Sequence, residues 1–271
     1  DQLALFVDDA KANFNIQIVP PDINQSESLF TVRDGKIIYG LAAIKGVGTA
    51  ATDAIVAERN ANGKFKNLTD FAKRCAPIMN KRILEAFAKV GVLDSLCPNR
   101  AAVFMNADAI LSYAARSKDS ANSLSLFANT IEDDVTENRL LKNLPRTAPW
   151  TFGQRLENEL SALGFYISAH PLDQYKHLIQ RAKLATSATL VDMGDRKPVQ
   201  IAANVNSFSR RRTKTGKEMI TINASDSFGN IDAVAFGDAA TTFAQILTGE
   251  NVVLISGKTS ARDDRVSIFV D

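Results

Sequence analysis

Residues 44–48, Ile-Lys-Gly-Val-Gly, combine groups that can bind an anion. A glycine accepts a positive φ at a tight turn, and the first amides of a following helix have no partner within that helix. Such amides, beside a lysine ammonium, favour a phosphate group. Contacts of this kind hold a phosphodiester backbone without reading bases. We therefore expect these residues to contact the phosphates of a nucleic-acid duplex: Lys45, Gly46, Val47, Gly48 and Thr49.

The flanking residues predict two short helices that share one apolar seam. A glycine turn between such helices gives the helix-hairpin-helix motif. The alternative is a plain helical hairpin whose glycines only permit the turn. Small side chains after the turn suit both a close helix contact and access to the amides, so we favour the first interpretation. The seam recurs at helical spacing and comprises Leu41, Ile44, Val47, Ala51 and Ile55.

A second, weaker copy of the motif is predicted over residues 80–96. An apolar helical seam again leads to a glycine, Gly91, but Leu93 stands where the first copy has Gly48. A side chain at that position degrades the amide site. We expect this copy to be mainly a structural partner, with Lys81 and Arg82 as further contacts to duplex phosphate.

The whole chain is expected to be an α+β multidomain protein. Residues 41–117 have helical periodicity, residues 118–150 are polar and rich in Asn and Ser, and residues 151–197 predict a helical connector. Residues 198–271 contain five strand-like runs, with a helix-like run between the third and the fourth. That order is typical of the OB-fold, a small five-stranded barrel that binds oligonucleotides or oligosaccharides.

The start of the chain predicts a helix, a short strand over residues 16–19 and a β-hairpin with its turn at Asp34–Gly35. Because helical spacing is present from the first residues, we expect the sequence to be a piece of a longer protein.

A basic run, Ser-Arg-Arg-Arg-Thr-Lys-Thr-Gly-Lys, lies between the first two predicted barrel strands. Such a run is often a solvated loop, but at this place on an OB barrel it borders the ligand groove. Phe208 and Phe228 are available to stack on bases, or to join the core. Clustered cations with aromatic residues are typical of single-strand binding. The predicted single-strand contacts are Phe208, Arg210, Arg211, Arg212, Lys214 and Lys217.

Composition argues against several other kinds of chemistry. The two histidines and two cysteines are too few and too scattered for a zinc site, and two isolated cysteines suggest inert thiols in a reducing compartment. The turn at His170–Asp173 is expected to be structural. No apolar run approaches the roughly 20 residues of a membrane span. The acid pairs at residues 8–9, 133–134 and 263–264 lack matching strand context, so we expect no catalytic residue and no metal site.

The order of these parts resembles the C-terminal portion of the bacterial DNA polymerase III alpha subunit, the replicative polymerase. The most specific pieces are Pro20–Asn24, Ile44–Gly48 and Leu163–Asp173. The resemblance implies that residues 1–40 end the fingers region, residues 41–117 hold duplex DNA, and residues 198–271 lie near the single-stranded template. It also implies that the catalytic carboxylates and their magnesium ions belong to a palm domain upstream.

The resemblance further implies a segment that binds the beta sliding clamp within the linker of residues 118–150. The family pattern is Gln, Leu, Ser or Asp, Leu and Phe, and here the first residue is serine. Two adjacent apolar side chains fill a pocket, while the shorter serine loses part of the rim contact. The alternative is that the apolar residues attach the linker to a neighbouring domain. The predicted clamp-binding residues are Ser123, Leu124, Ser125, Leu126 and Phe127.

The expected partners are double-stranded and single-stranded DNA, the clamp and other replicase subunits, in the bacterial cytoplasm and without a membrane. This piece alone should not polymerise DNA and should need no cofactor. Two alternatives are a stand-alone helix-hairpin-helix and OB-fold module of a DNA repair protein, and an RNA-binding OB protein.

Overall fold

The computed structural model describes residues 16–122, 138–213, 216–246, 252–262 and 265–271. The predicted clamp segment, the three acid pairs and Lys214 lie outside the described residues. The chain divides after Ser168 into two compact units. Within the described part, no helix is long and apolar enough to cross a bilayer.

The first unit contains a small sheet and a set of helices. Its strands follow the spatial order β1-β3-β2 and are β1 (Ile18–Val19), β2 (Thr31–Arg33) and β3 (Lys36–Ile38). Its α-helices are α1 (Thr49–Asn62), α2 (Leu68–Cys75), α3 (Lys81–Val90), α4 (Arg100–Met105), α5 (Ala107–Asn122), α6 (Arg139–Asn143) and α7 (Phe152–Leu163).

The hairpin of β2 and β3 confirms the predicted turn. Asp34 and Gly35 both have positive φ, 51° and 71°, which is the conformation that a two-residue turn needs to match the twist of its strands. The strands pair Thr31 with Ile38. Asp34 and Gly35 therefore form the two-residue turn of this hairpin.

Asparagine side chains begin three of the helices. Asn67, Asn80 and Asn99 cap α2, α3 and α4, and each accepts a hydrogen bond from the amide of the third helical residue. Such a cap satisfies a donor that the helix itself leaves unpaired. The apolar faces of these helices form one buried core, which includes Leu41, Ile55, Leu68, Phe71, Phe87, Val90 and Leu93.

The segment Pro20–Asn24 connects the two halves of the helical region. The amide of Ile23 donates to the carbonyl of Val92 at 2.9 Å. The side chain of Asn24 donates to the carbonyl of Phe65 and accepts from its amide. This segment therefore joins the end of the second hairpin to the loop that follows α1.

Helix α7 belongs with the helical region. It begins in a capping box between Thr151 and Gln154, and it places Ala162 and Leu163 in the hairpin core. The predicted connector over residues 151–197 is thus divided between the units, with α7 in the first.

The second unit is a closed β-barrel that follows a 3₁₀ turn and two short helices. The turn covers Pro171–Tyr175, and the helices are α8 (Lys176–Arg181) and α9 (Ser187–Leu190). The barrel strands are β4 (Pro198–Arg212), β5 (Glu218–Ser225), β6 (Asn230–Phe236), β7 (Val252–Arg262) and β8 (Arg265–Val270). Helix α10 (Asp238–Ile246) lies between the third and fourth barrel strands.

The strand order β4-β5-β6-β8-β7 closes the barrel, and β6 and β8 are parallel. A five-stranded barrel with a helix between its third and fourth strands is the OB-fold. The predicted fold class, a helical domain with two hairpins followed by an OB barrel, is confirmed.

A β-bulge in β4 changes which side chains face the barrel core. Val205 pairs with Ala224, but the next pair is Ser207 with Asn223, so Asn206 is the extra residue. Since side chains alternate between faces, one extra residue moves every later side chain to the opposite face. Phe208 therefore pairs with the inward-facing Ile222 and packs against the barrel core.

Candidate nucleic-acid interface

The first hairpin forms a tight turn before α1. A single 3₁₀ turn over Leu41–Ala43 stands where a short helix was predicted. Gly46 has a φ of +89°, which explains the glycine there. Val47 is buried in the core, as the seam requires. Gly48 then caps α1 with extended backbone and no side-chain hydrogen bond.

The N-terminus of α1 leaves amides open to solvent. Gly48, Thr49 and Ala50 are exposed, and no acceptor in the described part of the chain bonds their amides. The first turn of α1 carries no acidic residue. Lys45 is exposed beside this turn, while its own amide donates to the carbonyl of Ala162 at 3.0 Å. Open amides at the positive end of a helix dipole form an anion site.

Arg82 extends this anion site from the second hairpin. Its guanidinium lies against Gly46, where a Cβ on the glycine would be 2.8 Å from Arg82 Nε. The neighbouring Lys81 instead bonds Asp108, with Nζ 2.7 Å from the carboxylate oxygen. That hydrogen bond raises the pKa of Lys81. The two predicted cations therefore differ: Arg82 adds charge at the turn that precedes α1, whereas the charge of Lys81 is matched by a carboxylate.

The second hairpin has no comparable opening. Gly91 has a φ of +82°, but the guanidinium of Arg100 fills the space where a Cβ would stand. The amides of Gly91 and Val92 donate to the carbonyl of Phe87 at the end of α3. The glycine turn of this copy is therefore filled by a side chain, and its amides are bonded within the protein.

Arg100 itself is held by two carboxylates. Its Nε and Nη2 bond Asp94, and its Nη1 lies 2.7 Å from Oε1 of Glu159. Glu159 is fully buried, and its second oxygen accepts from the amide of Ser168. Sequence reasoning missed this cluster because its members are separated along the chain.

The arginines of the basic run lie on a strand rather than in a loop. Arg210, Arg211 and Arg212 extend β4, and each is exposed and paired across to β5. The turn beyond them is closed by hydrogen bonds between Thr213 and Lys217. Along a strand, successive side chains leave opposite faces of the sheet.

The two candidate aromatic residues, Phe208 and Phe228, have different environments. Phe208 packs against the barrel core, so its position supports the core alternative rather than base stacking. Phe228, in the turn after β5, is 64% exposed. Sequence reasoning overlooked an exposed aromatic pair on the barrel, Phe236 and Phe269, whose ring centroids are 5.9 Å apart. Only the parallel pairing of β6 with β8 brings these two residues together.

Metal and thiol chemistry find little support in the described residues. These contain no group of three or more His, Cys, Asp or Glu side chains that could hold a metal ion. Both cysteines are buried, and burial raises the pKa of Cys75 to about 12. Since the thiolate is the reactive form, this cysteine is a packing residue.

Comparison with known protein families supports both halves of the fold. The helix-hairpin-helix motif family matches residues 15–103. The OB-fold nucleic acid binding domain family matches residues 199–271. The chain is thus of the class that joins helix-hairpin-helix and OB-fold nucleic-acid-binding domains.

Curated relatives identify the family. The chain is 36% identical to the DNA polymerase III subunit alpha of Neisseria meningitidis serogroup B over 97% of this chain. It is 31% identical to that of Borreliella burgdorferi over the whole chain, and 32% identical to that of Haemophilus influenzae over 92%. The chain belongs to the DNA polymerase III alpha subunit family, as expected from its motifs. It spans only 22–24% of the length of these relatives.

Proposed function

We propose that this chain is the DNA-holding, C-terminal portion of a replicative DNA polymerase subunit. The observation that carries the proposal is the open N-terminus of α1, where the amides of Gly48, Thr49 and Ala50 face solvent. Lys45 is exposed in the preceding turn, and Arg82 lies against Gly46 of that turn. Backbone amides and cations of this kind match phosphate oxygens, which are the same for every duplex sequence. The open N-terminus of α1 therefore supports sequence-independent binding of DNA.

The barrel serves the single-stranded template in this proposal. Three consecutive arginines on β4 and Lys217 beyond the turn supply positive charge beside the barrel surface. Charge of this kind follows the backbone of a flexible strand. The two units would thus hold paired and unpaired DNA by different means.

Residues 123–127 are proposed to bind the beta sliding clamp. Support comes from the family pattern, in which Leu126 and Phe127 would fill an apolar pocket. Serine in place of the family's glutamine predicts weaker binding than the full pattern gives. The clamp would be one of several replicase subunits that contact the parent protein.

The remaining proposals concern catalysis by the parent protein and its cellular location. The polymerase reaction and its magnesium ions are assigned to the parent protein's palm domain, so the piece itself should neither extend a primer nor require a cofactor. The parent protein would work in the bacterial cytoplasm.

A charge placed at the open amides tests the proposal. Gly48→Asp introduces a carboxylate where a phosphate would bind, yet aspartate is a good N-cap residue, so α1 should be as stable as before or more so. Nothing lies within 4 Å of a Cβ at Gly48, so the substitution fits. We expect the affinity for a labelled duplex to fall at least about tenfold, because a charge-assisted hydrogen bond contributes about 1.5–3 kcal/mol.

Gly153→Asp is the matched control. It adds the same charge in the first turn of another helix, α7, and nothing lies within 4 Å of a Cβ there either. Fluorescence anisotropy with one duplex, and thermal melting, measure both variants. An equal loss of affinity in both would show a generic charge effect, and an unchanged affinity in Gly48→Asp would refute the phosphate site.

A further inference from the structure

One row of side chains crosses the outer surface of the barrel. Arg211 on β4 pairs with Met219 on β5, and Met219 pairs with Phe236 on β6. Directly paired residues project to the same face of a sheet. These three side chains therefore lie side by side on the outside of the barrel.

The row continues onto the last two strands. Phe269 on β8 pairs with Val234, which shares the face of Phe236 because the two are separated by two positions on β6. Phe269 also pairs with Lys258 on β7. We name the set of Arg211, Met219, Phe236, Phe269 and Lys258 the aromatic row.

The centre of the aromatic row is apolar and accessible. Phe236 is 43% exposed and Phe269 is 37% exposed, and their rings are tilted by 47° to each other. Both ends are exposed cations, Arg211 and Lys258. An acid on this face, Asp232, lies two positions before Val234 on β6 and accepts a hydrogen bond from Asn223. It lies on the opposite side of Val234 from Phe236, so it borders the row beside Phe269.

We propose that the aromatic row is the surface on which unpaired nucleobases stack, with the flanking phosphates held by Arg211 and Lys258. Aromatic rings accept any base because every base has a π-face, and adjacent cations match the strand's charge. This inference rests on the proposed single-strand function of the barrel and assigns its base contacts to Phe236 and Phe269. A duplex hides the base faces within its stack, so the row selects unpaired strands.

The test separates base stacking from charge. The ligands are a fluorescein-labelled oligothymidine and an abasic oligomer of equal length, which carries the same phosphates and no bases. Both are measured by anisotropy on the full chain, with excess unlabelled duplex present to occupy the hairpin unit. The variants are Phe236→Leu and Phe269→Leu, which keep an apolar side chain on the barrel. Tyr175→Leu is the matched control, since it removes an exposed ring from the 3₁₀ turn of the same unit, away from the barrel strands.

We expect each row variant to weaken oligothymidine binding by about fivefold or more, the scale of one lost stacking contact. Abasic binding should change less than about twofold, which also shows that the barrel remains folded. Tyr175→Leu should leave both affinities unchanged. If the native chain binds the two oligomers equally, or the row variants lose both alike, the stacking inference is wrong while single-strand binding stands. If the native chain binds neither oligomer, both the stacking inference and the proposed single-strand binding by the barrel are wrong.

Discussion

Arg82 of the second hairpin lies against Gly46 of the first, with Nε 2.8 Å from the position of a Cβ on that glycine. The first hairpin supplies the open amides and Lys45, and the second supplies a guanidinium. The two copies of the motif therefore do not form two equivalent binding sites. In the proposed function, they contribute different groups to the binding of duplex phosphate.

Gly46→Ala should weaken duplex binding chiefly by displacing Arg82. The same substitution in an Arg82→Ala background should then have a smaller further effect, so the two losses will not add. Anisotropy titrations of the single and double variants measure this. Strictly additive losses would mean that Gly46→Ala does not act through Arg82.

Folding stability should respond differently to the same substitutions. The φ of +89° at Gly46 strains any L-residue, at a cost of about 1–2 kcal/mol. Since removing Arg82 does not change that dihedral angle, most of the destabilisation by Gly46→Ala should persist in the double variant. Thermal melting of the four proteins is the measurement.

Replacing Arg210, Arg211 and Arg212 with alanine should reduce single-strand affinity more than duplex affinity, because the hairpin unit keeps its own site. A control with the same change of charge is alanine at Lys176, Arg181 and Lys197, three exposed cations of the same unit. The salt dependence of binding should flatten for the first triple variant only, by roughly 0.7 in the log–log slope for each lost phosphate contact to a single strand. Equal effects of both triple variants would indicate a generic electrostatic contribution.

Leu126→Ala combined with Phe127→Ala should abolish binding to the cognate clamp while leaving the melting temperature nearly unchanged. Burial of a Leu or Phe side chain contributes about 1.5–3 kcal/mol, so losing both should lower affinity by a factor on the order of a hundred or more. Ser123→Gln should tighten binding by restoring the rim amide. Calorimetry measures both changes. A variant that melts several degrees lower and still binds the clamp would make these residues core anchors.

Glu58 should make a pH-dependent contribution to the stability of the first unit. A hydrogen bond from Arg74 Nε, 2.9 Å long, lowers the pKa of Glu58 from its ordinary value of 4.5, and Asn62 donates to the same oxygen. A carboxyl whose pKa falls on folding stabilises the fold above its unfolded pKa. That contribution disappears as pH falls through the lower folded pKa.

Glu58→Gln should therefore lower the melting temperature near neutral pH, by an amount that corresponds to less than about 1 kcal/mol for a partly exposed pair. The difference from the native chain should shrink below pH 4.5. Glu157→Gln, on the exposed face of α7, is the control. A difference that stays constant with pH would show that the carboxylate charge is not responsible.

Local chemistry explains what could be predicted from the sequence. The turn at Asp34–Gly35 and the glycine at position 46 are visible because few residues accept positive φ. The barrel strands are visible because apolar and polar residues alternate along them. These features depend on neighbours in the chain.

Pairing between distant segments explains what could not be predicted. A count of alternating positions from Val199 places Phe208 on the outside of the barrel, but the bulge at Asn206 turns it inward. The contact of Phe236 with Phe269 needs two strands that are not consecutive to pair in parallel. Neither the bulge nor the pairing of β6 with β8 can be read from a short segment of the sequence.

The buried pair of Arg100 and Glu159, 59 residues apart, determines where the chain can be shortened. A piece that ends at residue 150 contains both hairpins but lacks α7, and it leaves the guanidinium of Arg100 with Asp94 alone. An interior charge that loses a partner is strongly destabilising. A shortened piece that keeps the helix-hairpin-helix region folded should therefore extend through Ser168, the end of the first compact unit. That boundary lies well past the second hairpin.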